Sequence, residues 1–335
     1  MIKTAEAVSL GHPDKTADYI SSYILDRFIE HDAKTRYAVE VMVKNNTVVL
    51  GGEISSRFLT PTYEDYVKQA LREIGYDENY AEHWEDKAID IRQLKVINLL
   101  SCQSAEIAQG VTDDGWGDQG VFVGYACQGK GKISRELFLA RQLNQILYYK
   151  ARQSNNLGLD IKTQITMEND DIITAIVAIP MQKPEDLSDV VTRALGQKPQ
   201  QLIVNGTGDY VAHSSVADCG MTGRKLACDF YGASAPIGGG SPWTKDGTKA
   251  DLTLNLYARQ LALENLDNYD EVWVYLSSCI GRSCLPSAIL KWRRGEEYGA
   301  CNLSLGEVRP SVLIKKFGLD QPKYAQMCRD GLLSV

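Results

Sequence analysis

Residues 238–251 read GGGSPWTKDGTKAD. Three glycines precede Lys245 and Lys249, and aspartates stand at 246 and 251. Glycine lets a backbone approach a ligand closely, lysine brings positive charge to oxygens, and aspartate can hold a hard cation. The mixture points to a polyanion, but the spacing is not that of a P-loop. A second stretch, ADCGMTGRKLACD (217–229), puts Asp218, Arg224 and Lys225 on a glycine-punctuated segment. It reads either as an anion site at a strand edge or as an exposed charged turn. In GHPDK (11–15) a glycine turn presents His12 at a helix start beside Asp14 and Lys15. A helix N-terminus favours anions. Capping by Asp14 with a solvated Lys15 is the plainer alternative, and it leaves His12 without a task. Lys162 opens KTQITM and says nothing alone. Together Lys162, Arg224, Lys225, Lys245 and Lys249 offer cations for phosphate oxygens. Asp14, Asp218 and Asp251 offer carboxylates for a hard metal, the mixture that a phosphate chain with Mg²⁺ needs.

Two glycine patterns carry little weight. GWGDQG (115–120) fits the dinucleotide fingerprint, but the apolar stretch VFVGYAC follows where a helix should open. GYACQGKG (124–131) has glycine where a P-loop needs Ser or Thr for the metal.

The chain that must position these loops has 335 residues, 44% of them hydrophobic, enough for more than one domain. Its net charge of −7 excludes a nucleic-acid binder driven by counterion release. A polyanion must therefore be met by cations gathered locally. The N-terminus lacks a signal-type apolar core, and no apolar run approaches the ~18 residues of a membrane helix. The eight cysteines form no CxxC and there are four histidines, so we expect reduced cytoplasmic thiols and no structural zinc.

Helical spacing of Ala17, Ile20, Ile24 and Phe28 follows Pro13. YAVEVMV and TVVLGGEI, joined at Lys44-Asn45-Asn46, predict a β-hairpin, and TYEDYVKQALREIGY a second helix. The order returns with a helix over 135–154, a hairpin around Asn169-Asp170-Asp171, and a helix in PEDLSDVVTRALGQ. A third round has a helix from 251, strands in EVWVYLSS and PSAILKW, and a short helix in RPSVLIKKFG. The pattern predicts an α+β chain of three pseudo-repeated domains, each an antiparallel sheet with helices on one face. We place them at 1–110, 113–213 and 215–335, with strands free to exchange between them. The glycine-rich connections 101–119 and 205–250 are long, as functional loops are.

These motifs resemble the S-adenosylmethionine synthetase (methionine adenosyltransferase) family. EAVSLGHPDKTAD is similar to its ExVSxGHPDKxxD signature, and GGEI (51–54), GDQGVFVGYA (117–126), GMTGRK (220–225) and the GGGSPWTKDGTKAD stretch match further blocks in the same order. The likeness spans nearly the whole chain and implies the family's three-domain fold. It implies that methionine sulfur attacks the ribose 5′ carbon of ATP, giving S-adenosylmethionine, and that the bound triphosphate is then cut to phosphate and diphosphate. Thioether sulfur needs no general base, so catalysis would rest on positioning and electrostatics.

Carried over by position, the resemblance implies that His12 meets the leaving oxygen and phosphates. It makes Asp14 and Asp251 ligands of two Mg²⁺ ions and Glu40 a K⁺ ligand. Glu53, Gln103, Asp218 and Lys249 would hold methionine. Asp118, Asp160, Lys162, Tyr210, Asp218 and Ser241 would contact the nucleotide, while Arg224, Lys225 and Lys245 serve the triphosphate and its cleavage. The family's homodimers or tetramers, with active sites at a subunit interface, are implied as well. The chain departs from the pattern at Leu10, at Asp209-Tyr210, at His213-Ser214-Ser215 and in a shortened lid loop, 103–117. Those departures leave a non-catalytic, nucleotide-binding regulatory paralogue as the alternative function.

Overall fold

The computed structural model describes residues 2–59, 62–102 and 114–331. Helix α1 (Pro13–His31) starts behind His12, whose Nδ1 accepts the Asp14 amide at 3.1 Å, with Pro13 in its first turn. His12, and not Asp14, is therefore the cap. The predicted stripe Ala17, Ile20, Ile24 and Phe28 is buried, but so are Lys15, Asp18, Ser21, Ser22 and Asp26. α1 is thus a central helix, packed against strand, helix and loop on different sides. Lys15 is 3% exposed, which corrects the reading of a solvated lysine.

Strands β1 (Ile2–Val8), β2 (Arg36–Lys44), β3 (Thr47–Ser55), β4 (Lys95–Ser101), β5 (Gly120–Cys127), β6 (Lys162–Glu168), β7 (Asp171–Ala178), β8 (Gln201–Val204), β9 (Gly220–Met221), β10 (Glu271–Ser278), β11 (Ser287–Arg294) and β12 (Glu297–Asn302) form three four-stranded sheets. Their orders are β4-β3-β2-β9, β1-β6-β7-β8 and β12-β11-β10-β5. Each sheet therefore takes one strand from a distant part of the chain. β1 pairs with β6, β5 with β10, and β9 with β2.

Both predicted hairpins are present, with two-residue turns in which Asn45 and Asn169 take positive φ. Asparagine tolerates that conformation better than most residues. The sheets are not wholly antiparallel: β4 lies parallel to β3, and β8 to β7. The reason is the connection. Helices α2 (Tyr63–Ile74) and α3 (Glu78–Trp84) carry the chain from β3 back to β4, and a crossover returns a strand in its starting direction. Helix α4 (Arg135–Arg152) covers β1 and β6, and α5 (Ser188–Leu195) lies between β7 and β8 in the chain. Helix α6 (Ala250–Glu264) covers β5 and β10, and α7 (Pro310–Phe317) and α8 (Tyr324–Asp330) close the described chain. Residues 226–229, read as part of an apolar strand edge, form a single helical turn instead.

The hairpin β2–β3 shows how one face is committed. Tyr37, Val39, Val41 and Val43 of β2 are 0–1% exposed beneath α1. Each such aliphatic burial stabilises by about 1.5–3 kcal/mol. The alternate residues, Ala38, Glu40 and Met42, face away from that core.

Candidate active site

The exposed edge of β2 gathers two of the three cationic loops. Val41 N–H donates to Thr222 Oγ1 (3.2 Å), and Thr222 N–H to the Val41 carbonyl (3.1 Å). Farther along, Val39 N–H donates to the Thr244 carbonyl (2.9 Å), and Tyr37 N–H to Asp246 Oδ2 (2.8 Å). Asp246 is 2% exposed and also accepts from Thr248 N–H, so it fixes the WTKDGTK loop rather than offering itself to a ligand. The third loop, GHPDK, is stitched to 159–161: Ser9 Oγ donates to the Leu159 carbonyl, and Ile161 N–H to Ser9 Oγ (3.0 Å). That seam brings Asp160 and Lys162 beside His12.

GHPDK and GMTGRK meet directly. Asp14 Oδ1 accepts Met221 N–H at 2.9 Å, and Asp14 Oδ2 accepts Lys225 Nζ at 2.5 Å. A Cβ on Gly220 would stand 2.2 Å from the Pro13 carbonyl oxygen, so only glycine permits this approach. GMTGRK meets the glycine-rich loop through Gly223, which lies against Ser241. Asp251, in the first turn of α6, accepts Gly240 N–H at 2.8 Å and is ion-paired with Lys245. Gly239 has φ +70°, a left-handed turn that points its own absent side chain at that carboxylate.

Charge sets the behaviour of the histidine. His12 is 1% exposed, and burial followed by the fields of Lys225 and Lys162 lowers its pKa to about 3, against the pull of Asp14. It is neutral near pH 7. Its Nδ1 already accepts the Asp14 amide, so the proton sits on Nε2, which is buried and without a hydrogen-bond partner. Burial opposes ionisation of Asp14, but hydrogen bonds from Lys225 and Met221 hold its carboxyl below the ordinary range. Burial pushes Asp160 up to about 6, against the Ser214 amide and Lys162; its Oδ1 is a second buried atom without a partner. Tyr210 and Asp218 are close enough to feel Asp160, and Ser241 Oγ is a third buried, unpartnered atom.

Of the expected residues, His12, Asp14, Asp160, Lys162, Tyr210, Asp218, Arg224, Lys225, Ser241, Lys245 and Asp251 fall on these joined loops. Glu53 pairs across the sheet with Ala38, which bridges to Lys245 on its other side. Glu40 receives the Thr222 hydroxyl hydrogen on the same open face. Among the described residues, Asp118 has no hydrogen bond or ion pair to this group; it caps Gln119 and accepts from Ser278. Lys249 precedes α6 with no ion pair among those residues. Gln103 and most of the 103–117 loop lie outside the described residues.

The departures are accommodated locally. His213 is 0% exposed, edge-on to Trp84 at 4.7 Å and bonded to Tyr80. Ser214 takes φ 53°, and its amide donates to Asp160 Oδ2 at 3.1 Å. Asp209 accepts from the Asn205 side chain (3.1 Å), closing its own loop.

Matches to family models agree with this architecture. The model of the S-adenosylmethionine synthetase N-terminal domain matches residues 1–105, and that of the C-terminal domain matches 212–334. The S-adenosylmethionine synthase of Helicobacter hepaticus is 36% identical over 98% of this chain and 91% of its own. The chain belongs to the S-adenosylmethionine synthetase family. The synthase of Nitratiruptor is 33% identical over 98% of this chain and 91% of its own. A solved structure, of an unusual S-adenosylmethionine synthetase from Campylobacter jejuni, superposes with a TM-score of 0.87 at 31% identity, covering 99% of this chain and 94% of that one. The fold is the synthetase's α+β fold, and the protein is a methionine adenosyltransferase that makes S-adenosylmethionine. Among the described residues no helix is long and apolar enough to cross a membrane.

The synthetase's sequence concealed several residues that matter. Lys15, Asp18, Asp229, Trp243 and Asp246 are buried polar groups that tie the loops together. Their partners lie up to 214 residues away, a distance that no local pattern encodes.

Proposed function

We propose that the loops around His12 bind the triphosphate of ATP, and that L-methionine attacks the ribose 5′ carbon in line from the side of Glu53. The observation that carries this reading is the buried, unpartnered Nε2–H of a neutral His12, set among Lys162, Arg224 and Lys225. An unpaired buried donor costs about 1–3 kcal/mol, so its retention asks for a ligand atom. The sulfur–carbon bond forms as the carbon–oxygen bond breaks, and the triphosphate leaves with the electron pair. Negative charge builds on the departing oxygen, where the His12 donor and the cations stand. Each well-aimed donor of this kind contributes about 3–4 kcal/mol to lowering a barrier. Water then cleaves the triphosphate held by Arg224, Lys225 and Lys245, giving phosphate and diphosphate. Tyr210 offers an aromatic face for adenine, with Asp160 and Asp118 for the nucleoside; Gln103, Asp218 and Lys249 serve methionine.

The carboxylates suit Mg²⁺. Asp14 and Asp251 each supply hard oxygens, and magnesium is ordinarily held by one or two carboxylates with phosphate oxygens and water. Among the described residues no group of three acidic, His or Cys side chains stands ready to bind a metal unaided. Each carboxylate is neutralised here by a lysine, Lys225 or Lys245. Glu40 would hold K⁺ on the sheet's open face. When bound, the ions would neutralise phosphate charge. We further take the working form to be a homodimer, or a tetramer built as a dimer of dimers, with the cytoplasm as its compartment.

Product analysis tests the reaction. Purified protein with ATP, methionine, Mg²⁺ and K⁺ yields S-adenosylmethionine, phosphate and diphosphate in equal amounts. Release of intact triphosphate, or of ADP, would contradict the proposed sequence of steps.

A further inference from the structure

Behind the cationic loops lies a buried polar network centred on Lys15. Lys15 Nζ sits 2.8 Å from Asp229 Oδ2 and 3.2 Å from Asp18 Oδ2, all three side chains nearly fully buried. Asp18 Oδ1 accepts the Gly223 amide at 2.8 Å, one residue before Arg224. Asp229 Oδ2 also accepts the Trp243 indole N–H at 2.8 Å, two residues before Lys245. Lys15 Nζ stands over the Trp243 ring, 4.9 Å from its centroid, and Ser22 Oγ on the same helix donates to the Trp243 carbonyl at 3.0 Å. One face of α1 thus grips both loops that carry the triphosphate cations.

Stability alone does not explain the arrangement. Two carboxylates and one ammonium are costly to bury, and apolar residues of similar volume often serve a core as well or better. What the network supplies is direction. Gly223 is left-handed, with φ +72°, and its amide is oriented by the Asp18 oxygen. A displacement of about 1 Å at a positioned group can cost on the order of a hundredfold in rate.

We propose that Asp18, braced by Lys15 and Asp229, is a positioning residue that sets Arg224 and Lys225 over the triphosphate. The inference rests on the assignment of that loop to the triphosphate. Asp18→Leu removes the acceptor while keeping the branched outline of the side chain, whereas Asp18→Asn keeps an oxygen for the Gly223 amide. Both are compared with Trp243→Phe, Lys225→Met and wild type in the full-length protein, with circular dichroism to establish folding. The readouts are kcat, KM for methionine, and hydrolysis of added tripolyphosphate. Asp18→Leu is expected to lose about tenfold to a hundredfold in kcat and in tripolyphosphate hydrolysis with KM for methionine unchanged. Asp18→Asn recovers most of that loss. Trp243→Phe, which deletes one hydrogen bond, loses about two- to tenfold in tripolyphosphate hydrolysis. Wild-type rates in a folded Asp18→Leu, or an equal loss in Asp18→Asn, overturn the proposal. Should Asp18→Leu not fold, wild-type hydrolysis by Trp243→Phe overturns it. If Lys225→Met hydrolyses tripolyphosphate normally, the loop's assignment fails; if it is impaired while Asp18→Leu is not, only the positioning role fails.

Discussion

His12 receives its tautomer from the backbone. The Asp14 amide occupies Nδ1, so the proton resides on Nε2, and burial, helped by the surrounding cations, keeps the ring neutral. His12→Asn should therefore lower kcat by about a hundredfold or more while nucleotide binding, read by calorimetry, persists. Lys245→Met acts on the other carboxylate loop and should slow tripolyphosphate hydrolysis more than S-adenosylmethionine formation; rapid-quench measurement of bound triphosphate separates the two. His213 answers to pH instead. Burial lowers its pKa to about 4, so between there and its unperturbed value near 6.5 the unfolded chain binds the extra proton. Its contribution is complete above pH 6.5 and is lost as pH falls toward 4, on the order of 3 kcal/mol over that window. Urea midpoints at pH 7.5 and 4.5 should differ more in wild type than in His213→Gln. At this scale the sequence disclosed the charged donors, because GHPDK, GMTGRK and the glycine-rich run are contiguous. It concealed Lys15 and Asp18, since burial of a charge depends on carboxylates and amides far along the chain.

The hairpins β2–β3 and β6–β7 were legible because apolar alternation is interrupted by asparagine turns, a local signal. β1 and β8 were not. β1 exposes Ile2, Lys3 and Thr4, and its partner β6 begins more than 150 residues later. β8 has four residues and is a strand only because β7 lies beside it. The same non-local logic governs the site, where β2 serves as a rail for loops 220–222 and 244–246. At Gly220 the loop on that rail is also pressed against Pro13 at the start of α1. Gly220→Ala would drive a methyl group into the Pro13 carbonyl and part GMTGRK from GHPDK. Activity should fall by about tenfold or more, with far-ultraviolet dichroism nearly unchanged. α8 is held in a similar manner: Asp26 of α1 accepts the amides of Tyr324 and Ala325 at 2.8 and 2.9 Å.

At the scale of the whole molecule, the cation loops border an open sheet face. A 510 Å³ cavity lies instead on the other side of Lys15 and Asp229, lined by residues of α4 and α8. The face beside the loops carries Ala38, Glu40, Met42, Glu53 and Leu99, with Met221 at its edge; Leu99 is 65% exposed, Met221 43% and Met42 37%. Exposed apolar residues clustered on one flat face mark an interaction surface. Because the proposed methionine and potassium ligands, Glu53 and Glu40, lie on that face, a second copy seated there would enclose the site and exclude water from the reacting centre. Sedimentation should accordingly give at least twice the 37.1 kDa chain mass. Leu99→Arg places a charge in the contact without touching the core, so monomer stability should shift by no more than about 0.5 kcal/mol. The same change should dissociate the assembly and lower S-adenosylmethionine formation together. An active wild-type monomer, or a Leu99→Arg monomer with undiminished kcat, would place the complete site within one chain.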